Sequence, residues 1–182
     1  IMLLMAIGIF MFNHGLNNWL PELLRSKGMD DNLAGYWASI PTIIGIFGSL
    51  LIPRFATPER RFLMLPGLII LAGVATIFLV SPEGPLLFFA LVVQGIARSS
   101  LMTIVILTLV ELPGIGKKRA GTASGLFFSA AELGGVSGPL MLGIFFDIFE
   151  GFNAGLHMLT LIMLCLLIGS LYLKKKSKNL TQ

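Results

Sequence analysis

Charged residues and cysteine are both scarce in this chain of 182 residues. Only 12% of the residues are charged, about half the share that is usual in soluble globular domains. The single cysteine, Cys165, lies in an apolar run, so the chain can form neither an internal disulfide nor a cysteine-based metal site. Hydrophobic residues make up 55% of the sequence and the mean hydropathy is +0.90. This composition excludes an ordinary soluble domain and indicates a membrane protein.

The basic residues form short clusters between long apolar runs instead of a continuous stripe. A net charge of +4 with this distribution predicts no nucleic-acid-binding surface. Ten of the 13 basic residues fall in the loops on one side of the predicted spans: Arg54, Arg60, Arg61, Lys117, Lys118, Arg119, Lys174, Lys175, Lys176 and Lys178. Loops rich in lysine and arginine remain in the cytoplasm. The pattern therefore predicts an integral protein of the cell (inner) membrane with both termini in the cytoplasm.

Six apolar windows are long enough to cross a bilayer, whose hydrocarbon core of about 30 Å requires roughly 20 helical residues. They cover residues 1–20, 33–52, 62–80, 85–110, 120–146 and 154–173. We expect one six-helix transmembrane domain, 1–173, followed by a basic cytoplasmic tail, 174–182. Because the chain starts at Ile1 inside an apolar run and without a charged lead, we expect a piece of a longer protein and no signal peptide.

The six windows fall into two similar triplets. The first and fourth contain polar residues at depth, the second and fifth are rich in glycine and contain Pro41 and Pro139, and the third and sixth are nearly all apolar. The two triplets enter the membrane from opposite sides, as in the inverted repeats of many transporters. The predicted fold is an all-α membrane protein with a three-plus-three inverted repeat. Its first, second, fourth and fifth helices are expected to surround a pathway.

Two charged residues lie near the middle of predicted helices, where a charge costs at least about 2.5–3.5 kcal/mol. Arg98 shares a face of the fourth helix with Gln94, four residues away. Its planar guanidinium suits the oxygens of a carboxylate or a similar anion. We therefore predict that Arg98 and Gln94 contact a solute. Glu132, in the fifth helix, is a candidate for proton coupling or, alternatively, for an ion pair with Arg98 that holds the bundle together.

The first helix has a wide polar face. Asn13 and Asn17 form one stripe, and His14 and Asn18 form the stripe beside it. Unsatisfied polar groups in lipid cost a few kcal/mol each, so this face must point into the bundle. We predict that Asn13, His14 and Asn17 line a cavity; the alternative is that they only bond to neighbouring helices. Trp19 is interpreted as a residue of the membrane interface.

Glycine and proline are concentrated in the fifth helix. Small residues let a neighbouring helix approach closely, and a proline permits a bend. The positions predicted to serve helix packing or to act as hinges are Gly125, Gly134, Gly138, Pro139 and Gly143.

Five segments of the chain resemble the C-terminal half of the major facilitator superfamily. They are Asn18-Trp-Leu-Pro21, Leu33-Ala-Gly35, Arg119-Ala-Gly-Thr-Ala-Ser-Gly125, Gly134-Gly-Val-Ser-Gly-Pro139 and Gly143-Ile-Phe-Phe-Asp147. They are similar to the cyanate and nitrate/nitrite porter branches, and the resemblance covers essentially the whole chain. It implies half of a twelve-helix transporter, a missing N-terminal six-helix half, alternating access, and no organic cofactor.

Two details modify what this resemblance implies. The spacing of Gly125, Gly134 and Gly138 is similar to the superfamily's glycine-proline antiporter motif. The family has that motif in its N-terminal half, so here it implies repeat-related packing and not antiport. The loop from Gly48 to Arg54 occupies the place of the cytoplasmic gating loop, but the aspartate expected after the glycine is absent.

These features together predict transmembrane transport of a small solute by a secondary transporter, and Arg98 favours a small organic or inorganic anion. The predicted partners are this solute and the lipid bilayer. One alternative is a stand-alone six-helix protein that acts as a dimer or a scaffold. Another is an intramembrane enzyme that uses His14 with a serine such as Ser99. No paired metal ligands accompany these two residues, so neither an enzyme nor a bound metal is expected.

Overall fold

Six α-helices make up almost all of the structure. The computed structural model describes residues 1–112 and 115–180. Its helices are α1 (Met2–Arg25), α2 (Asp31–Phe55), α3 (Pro58–Phe78), α4 (Pro85–Val110), α5 (Gly116–Phe149) and α6 (Asn153–Leu180). The prediction of an all-helical chain is confirmed. The end of the predicted tail, residues 181–182, and the side chains of Lys117, Lys118, Lys176 and Lys178 lie outside the described residues.

Local sequence explains where several helices begin. The carboxylate of Asp30 precedes α2 and accepts a hydrogen bond of 2.9 Å from the backbone N–H of Leu33, which satisfies one of the free donors of the first turn. Proline occupies the first turn of both α3 and α4, where its missing N–H costs nothing. Gly84, just before α4, has φ 146°, a conformation that other residues rarely adopt.

Five of the helices within the described ranges are long and apolar enough to cross a membrane. The candidate spans are Asp31–Phe55, Arg60–Phe78, Pro85–Val110, Arg119–Phe149 and Asn153–Lys175. Helix α1 has a sufficient length, 24 residues, but its asparagines and its histidine lower its hydropathy. A sixth span therefore remains a prediction, since a helix with a polar face crosses the bilayer only where that face is shielded from lipid.

Two helix pairs make the most extensive contacts in the bundle, α1 with α5 and α2 with α4. Glycine makes both contacts close. A Cβ at Gly134 would overlap the backbone carbonyl of Ile7, and one at Gly138 would overlap that of Met11. In the same way, a Cβ at Gly95 of α4 would overlap the backbone of Pro41 in α2. Helices packed backbone to backbone hold their relative positions firmly, so α1 and α4 are each fixed by one glycine-rich contact.

Helices α3 and α6 pack on each other, and α3 also packs along α4. The hydroxyls of Thr76 in α3 and Thr160 in α6 lie 2.8 Å apart in a hydrogen bond. Thr76 is completely buried. The third and sixth helices, which the sequence suggests are plain, therefore have a polar contact inside the bundle.

Candidate functional site

A cavity of about 410 Å³ lies between α1, α2 and α4. Polar side chains from all three helices line it. The lining residues are Asn13, His14 and Asn17 of α1; Thr42, Gly45, Ile46 and Ser49 of α2; and Arg98 and Ser99 of α4. Four of the five residues predicted to contact a solute are thus brought together, although they come from helices that are about 80 residues apart in the sequence.

Arg98 is the charged group of this cavity. Its Nη1 donates a hydrogen bond of 2.7 Å to Oδ1 of Asn17, and its Nη2 donates one of 3.4 Å to Oγ1 of Thr42. The side chain is half-buried. Because a guanidinium has five N–H donors, these two bonds leave donors available for a further acceptor in the cavity.

The ion pair that the sequence allowed between Arg98 and Glu132 is not formed in this conformation. Among the residues that the structure describes, the hydrogen-bond partners of Arg98 are the neutral groups of Asn17 and Thr42, and the ion pairs found do not include Glu132. Glu132 is exposed on α5. The positive charge of Arg98 is therefore solvated by polar groups but is not neutralised.

His14 and Glu132 lie close to each other across the contact between α1 and α5. A Cβ at Gly135 would be 3.5 Å from Oε2 of Glu132 and 3.7 Å from the ring of His14. The imidazole also stacks on the ring of Phe10, with ring centroids 5.3 Å apart. Both titratable side chains are exposed. One end of the polar face of α1 thus combines an imidazole with a carboxylate, and the other end is bonded to Arg98.

Gln94 is the predicted solute contact that the structure places elsewhere. It is completely buried, it does not line the cavity, and neither its amide oxygen nor its amide nitrogen has a partner among the described residues. Four residues along an α-helix advance the angle by about 400°, which leaves Gln94 roughly 40° from Arg98. That rotation is enough to point the shorter side chain into the helix packing. Its role in binding a solute remains a prediction.

Three hydroxyl residues of the cavity were missed as solute contacts in the sequence: Thr42, Ser49 and Ser99. Thr42 and Ser49 are seven residues apart, which places them on one face of α2 two turns from each other. Their spacing around Gly45 was a usable signal, because a glycine that lets α4 approach also marks the face that α2 turns toward it. Hydroxyls are common in transmembrane helices, however, and their sequence alone does not show which of them are exposed to a cavity.

The glycines predicted for packing in α5 have different surroundings. Gly134 and Gly138 lie against the backbone of α1, and Gly143 accommodates the indole of Trp19, which would be 3.1 Å from a Cβ there. At Gly125 no atom lies within 4 Å of where a Cβ would be. Gly134, Gly138 and Gly143 therefore hold α1 against α5, together with the polar face that α1 contributes to the cavity.

Trp19, interpreted from the sequence as a residue of the membrane interface, also has a contact inside the bundle. Its Nε1 donates a hydrogen bond of 2.9 Å to the carbonyl of Pro139, and its ring stacks on Phe146 at 6.2 Å. This bond fixes the second half of α1 to α5 beyond the glycine contacts. The carbonyl of Pro139 thus accepts a hydrogen bond from α1, and the proline ring interrupts the backbone hydrogen bonding of α5.

No group of three or more histidine, cysteine, aspartate or glutamate side chains suited to a metal ion occurs among the described residues. The cavity presents amides, hydroxyls, an imidazole and a guanidinium. These groups can bind and orient a polar solute.

Comparison with known proteins agrees with a bundle of apolar, membrane-spanning helices. The family model of the Major Facilitator Superfamily matches residues 2–182, and the chain belongs to this superfamily of membrane transporters. It is 34% identical over 158 residues to the "Quinolone resistance transporter" of Acinetobacter baumannii. It is 27% identical over 150 residues to the "Uncharacterized transporter YycB" of Bacillus subtilis (strain 168).

The matched region covers most of this chain and a minor part of each relative. It comprises 83% of the chain and 35% of the Acinetobacter protein, and 79% of the chain and 36% of the Bacillus protein. The chain therefore spans about a third of the length of the curated relatives it matches. Family and relatives identify an integral membrane protein of a superfamily of transporters, and not of enzymes.

Proposed function

We propose that this chain forms the C-terminal six-helix half of a secondary transporter that moves a small organic or inorganic anion by alternating access. The observation that carries the proposal is Arg98, a permanently charged side chain near the middle of α4 whose free N–H donors face a cavity of about 410 Å³. All of its observed partners are neutral.

Charge balance favours an anion as the solute. A guanidinium at membrane depth costs at least about 2.5–3.5 kcal/mol on insertion scales, and hydrogen bonds to an amide and a hydroxyl lower this cost without removing the charge. An anion that enters the cavity would supply the missing negative charge and could accept the two parallel N–H groups that a guanidinium offers. Asn17 holds the guanidinium in place, so little ordering remains for the solute to impose.

The packing of the helices supports the proposed three-plus-three repeat. Exchanging the two triplets turns α1 into α4, α2 into α5 and α3 into α6. Under that exchange the contact of α1 with α5 becomes the contact of α4 with α2, and both of these contacts are mediated by glycine. The contact of α3 with α6, which includes the bond between two threonines, is unchanged by the exchange. Six spans, with the basic loops and both termini in the cytoplasm, complete this proposal.

The exposed surfaces of α2 and α5 support a missing N-terminal half. Of the most apolar window of each of these helices only 17% is buried, compared with 56% in α4. Both helices border the polar groups of the site, because Thr42 and Ser49 lie on α2 and Glu132 lies on α5. A second six-helix unit packed on these helices would close the cavity from the side that this chain leaves open.

His14 and Glu132 are the proposed site of ion coupling. The exposed carboxylate of Glu132 lies beside the imidazole of His14, on the polar face of α1 whose Asn17 bonds Arg98. This pair can exchange a proton when a partner half covers it. Coupled uptake of an anion and a proton would balance the charge that crosses the membrane. The expected signature is a solute-driven proton flux that is lost in Glu132→Gln and retained in Asp147→Asn, a carboxylate at the end of α5 outside the cavity.

A second candidate solute comes from the relative named for quinolone resistance, which is 34% identical to this chain. A quinolone is itself an organic anion at its carboxylate, so the same arginine would bind it. The cyanate and nitrate/nitrite branches point to much smaller anions. The two possibilities differ in solute size and not in the group that Arg98 recognises.

The decisive experiment measures uptake by the full-length gene product in proteoliposomes, with nitrate, cyanate and a quinolone as separate solutes. We expect Arg98→Gln to lower uptake of the transported solute at least about tenfold, and Arg98→Lys to lower it substantially, since a lysine lacks the planar pair of donors. Arg25→Gln is the matched control, because Arg25 pairs with Glu22 and Asp31 outside the cavity. Uptake that survives both Arg98 replacements would refute the assignment.

The alternative of a stand-alone six-helix protein makes a separate prediction. The protein purified from its native host would then contain six helices and would form a dimer through the exposed faces of α2 and α5. A purified polypeptide of about twice this chain's length, with six further spans, supports the proposal instead.

A further inference from the structure

The cavity is lined by the guanidinium of Arg98 and, farther along α2, by the hydroxyls of Ser49 and Ser99. Arg98 supplies N–H groups where its guanidinium meets α1 and donates to Oδ1 of Asn17. The hydroxyls of Ser49 and Ser99 supply the groups at the opposite end. The positions of these groups limit which anions can bind in the cavity. This inference about the solute rests on the proposed function of anion transport.

The two serine hydroxyls already use their hydrogens. Oγ of Ser49 donates to the carbonyl of Ile46 at 2.9 Å, and Oγ of Ser99 donates to the carbonyl of Gly95 at 3.0 Å. A hydroxyl has one hydrogen and two lone pairs. Serines bonded back to their own helix therefore keep lone pairs that can accept hydrogen bonds, while their hydrogens are already used.

The two ends are separated along α2. The guanidinium of Arg98 reaches Thr42, whereas Oγ of Ser99 lies beside Gly48, 2.8 Å from where a Cβ would be. Arg98 and Ser99 are neighbours in the sequence, but their side chains point to different levels of α2. From Thr42 to Ser49 the helix rises by seven residues, about 10 Å. Ile46, an apolar lining residue, lies between these levels.

A bare oxyanion would leave the acceptor end of the cavity without a partner. Its oxygens would satisfy Arg98, but lone pairs of Ser49 and Ser99 would face either water or more oxygen atoms. Each hydrogen bond that a solute adds to these oxygens favours its binding. An N–H donor carried on the solute would complete these bonds, and a short apolar segment of the solute would pass Ile46.

We propose that the cavity is specific for an organic anion that carries an N–H donor group, such as an ammonium, at a distance from its anionic group. The anionic group binds Arg98 and Asn17, and the N–H group binds the hydroxyl oxygens of Ser49 and Ser99. The two serines thus select among anions, while the arginine binds the feature that all of these anions share.

The test compares three probes on the purified full-length protein by titration calorimetry. They are 6-aminohexanoate, which has a carboxylate and an ammonium at its two ends; hexanoate, which lacks the ammonium; and nitrate, a bare oxyanion. We expect 6-aminohexanoate to bind about tenfold more tightly than hexanoate, because hydrogen bonds between a charged donor and the serine oxygens are strong. Shorter amino acids such as β-alanine should lose this advantage, since they cannot span the two levels of α2.

Variants assign the effect to the serines. The double variant Ser49→Ala with Ser99→Ala should bind 6-aminohexanoate and hexanoate equally, because the oxygens that accept from the ammonium are removed. The control is Ser39→Ala with Ser129→Ala, which removes two exposed serines that bond back to α2 and α5 in the same way outside the cavity. The control should retain the tenfold preference.

The outcomes separate this inference from the proposed function. Nitrate or hexanoate binding as tightly as 6-aminohexanoate, with loss of binding in Arg98→Gln, would overturn the inference and leave the anion transporter in place. Binding of 6-aminohexanoate that is unchanged in the double serine variant would also overturn it. No binding of any of the three probes would count against both.

Discussion

The contact between α1 and α5 gives the sharpest test of this structure, through Gly138→Ala. A Cβ at this position would overlap the backbone of Met11, and backbone atoms cannot move aside as the end of a flexible side chain can. The two helices would have to part by roughly 1 Å before the new methyl reaches an ordinary carbon–oxygen distance of about 3.3–3.6 Å. A gap of that size forfeits about a quarter to a half of each dispersion contact that it opens.

The expected loss follows from this separation. Overpacking of a well-packed contact costs about 1–3 kcal/mol, and α1 and α5 share the most extensive contact in the bundle. The better helix propensity of alanine returns at most about 1 kcal/mol. We expect Gly138→Ala to lower the free energy of unfolding by about 1–2 kcal/mol and Gly134→Ala, which meets the backbone of Ile7, to do the same.

Gly125→Ala is the matched control. It makes the same chemical change in the same helix, but nothing lies within 4 Å of the new methyl. We therefore expect this variant to be as stable as the wild type or about 0.5–1 kcal/mol more stable. The measurement is reversible unfolding of the full-length protein in mixed micelles, followed by helical circular dichroism. Wild-type stability of the Gly138→Ala protein would show that α1 and α5 do not approach each other as closely as described.

Three further changes test other contacts by the same unfolding assay. Trp19→Phe removes the hydrogen bond to the carbonyl of Pro139 and should cost about 1 kcal/mol, with the packing largely kept. A double-mutant cycle of Thr76→Val and Thr160→Val should give a coupling of about 0.6 kcal/mol, and a coupling of zero would contradict the bond between α3 and α6. Burial lowers the pKa of Lys27 below the usual 10.5, so the unfolded chain keeps this proton to a higher pH than the folded one. Stability should therefore rise with pH between the lowered pKa and 10.5, and a slope unchanged in Lys27→Met would contradict the burial of the ammonium.

The course of the chain was largely predictable from its sequence because a bilayer imposes simple rules. Length and hydropathy locate helices that must satisfy their own backbone hydrogen bonds, and each of the six apolar windows overlaps one observed helix. The positions of Arg98, Asn13, His14 and Asn17 near one cavity were also predictable. A polar group that is costly in lipid has few places to go, so its helix face can be inferred.

The partners of these groups were not predictable in the same way. Whether Arg98 meets Asn17 or Glu132 depends on how far α1 is shifted along α4 and α5, and that shift is set by glycine-mediated backbone contacts in three dimensions. The orientation of Gln94 depends on about 40° of rotation around α4. Whether the hydroxyl of Ser49 faces the cavity, a neighbouring helix or the outside of the bundle also depends on those shifts. Hydropathy carries no information on any of these quantities.

The exposed polar groups finally bear on what this bundle requires around it. His14, Asn17 and Glu132 are exposed in the chain as it stands, although they lie in helices of membrane-spanning length. In contact with lipid each would cost up to several kcal/mol, whereas the apolar residues of α2 and α5 beside them would be stable there. A surface that mixes such groups is suited to neither lipid nor bulk water over its whole area. Such a surface is suited to contact with a second protein unit. That unit would pack on the apolar part and leave the polar part facing an aqueous cavity, in which a solute can replace the water.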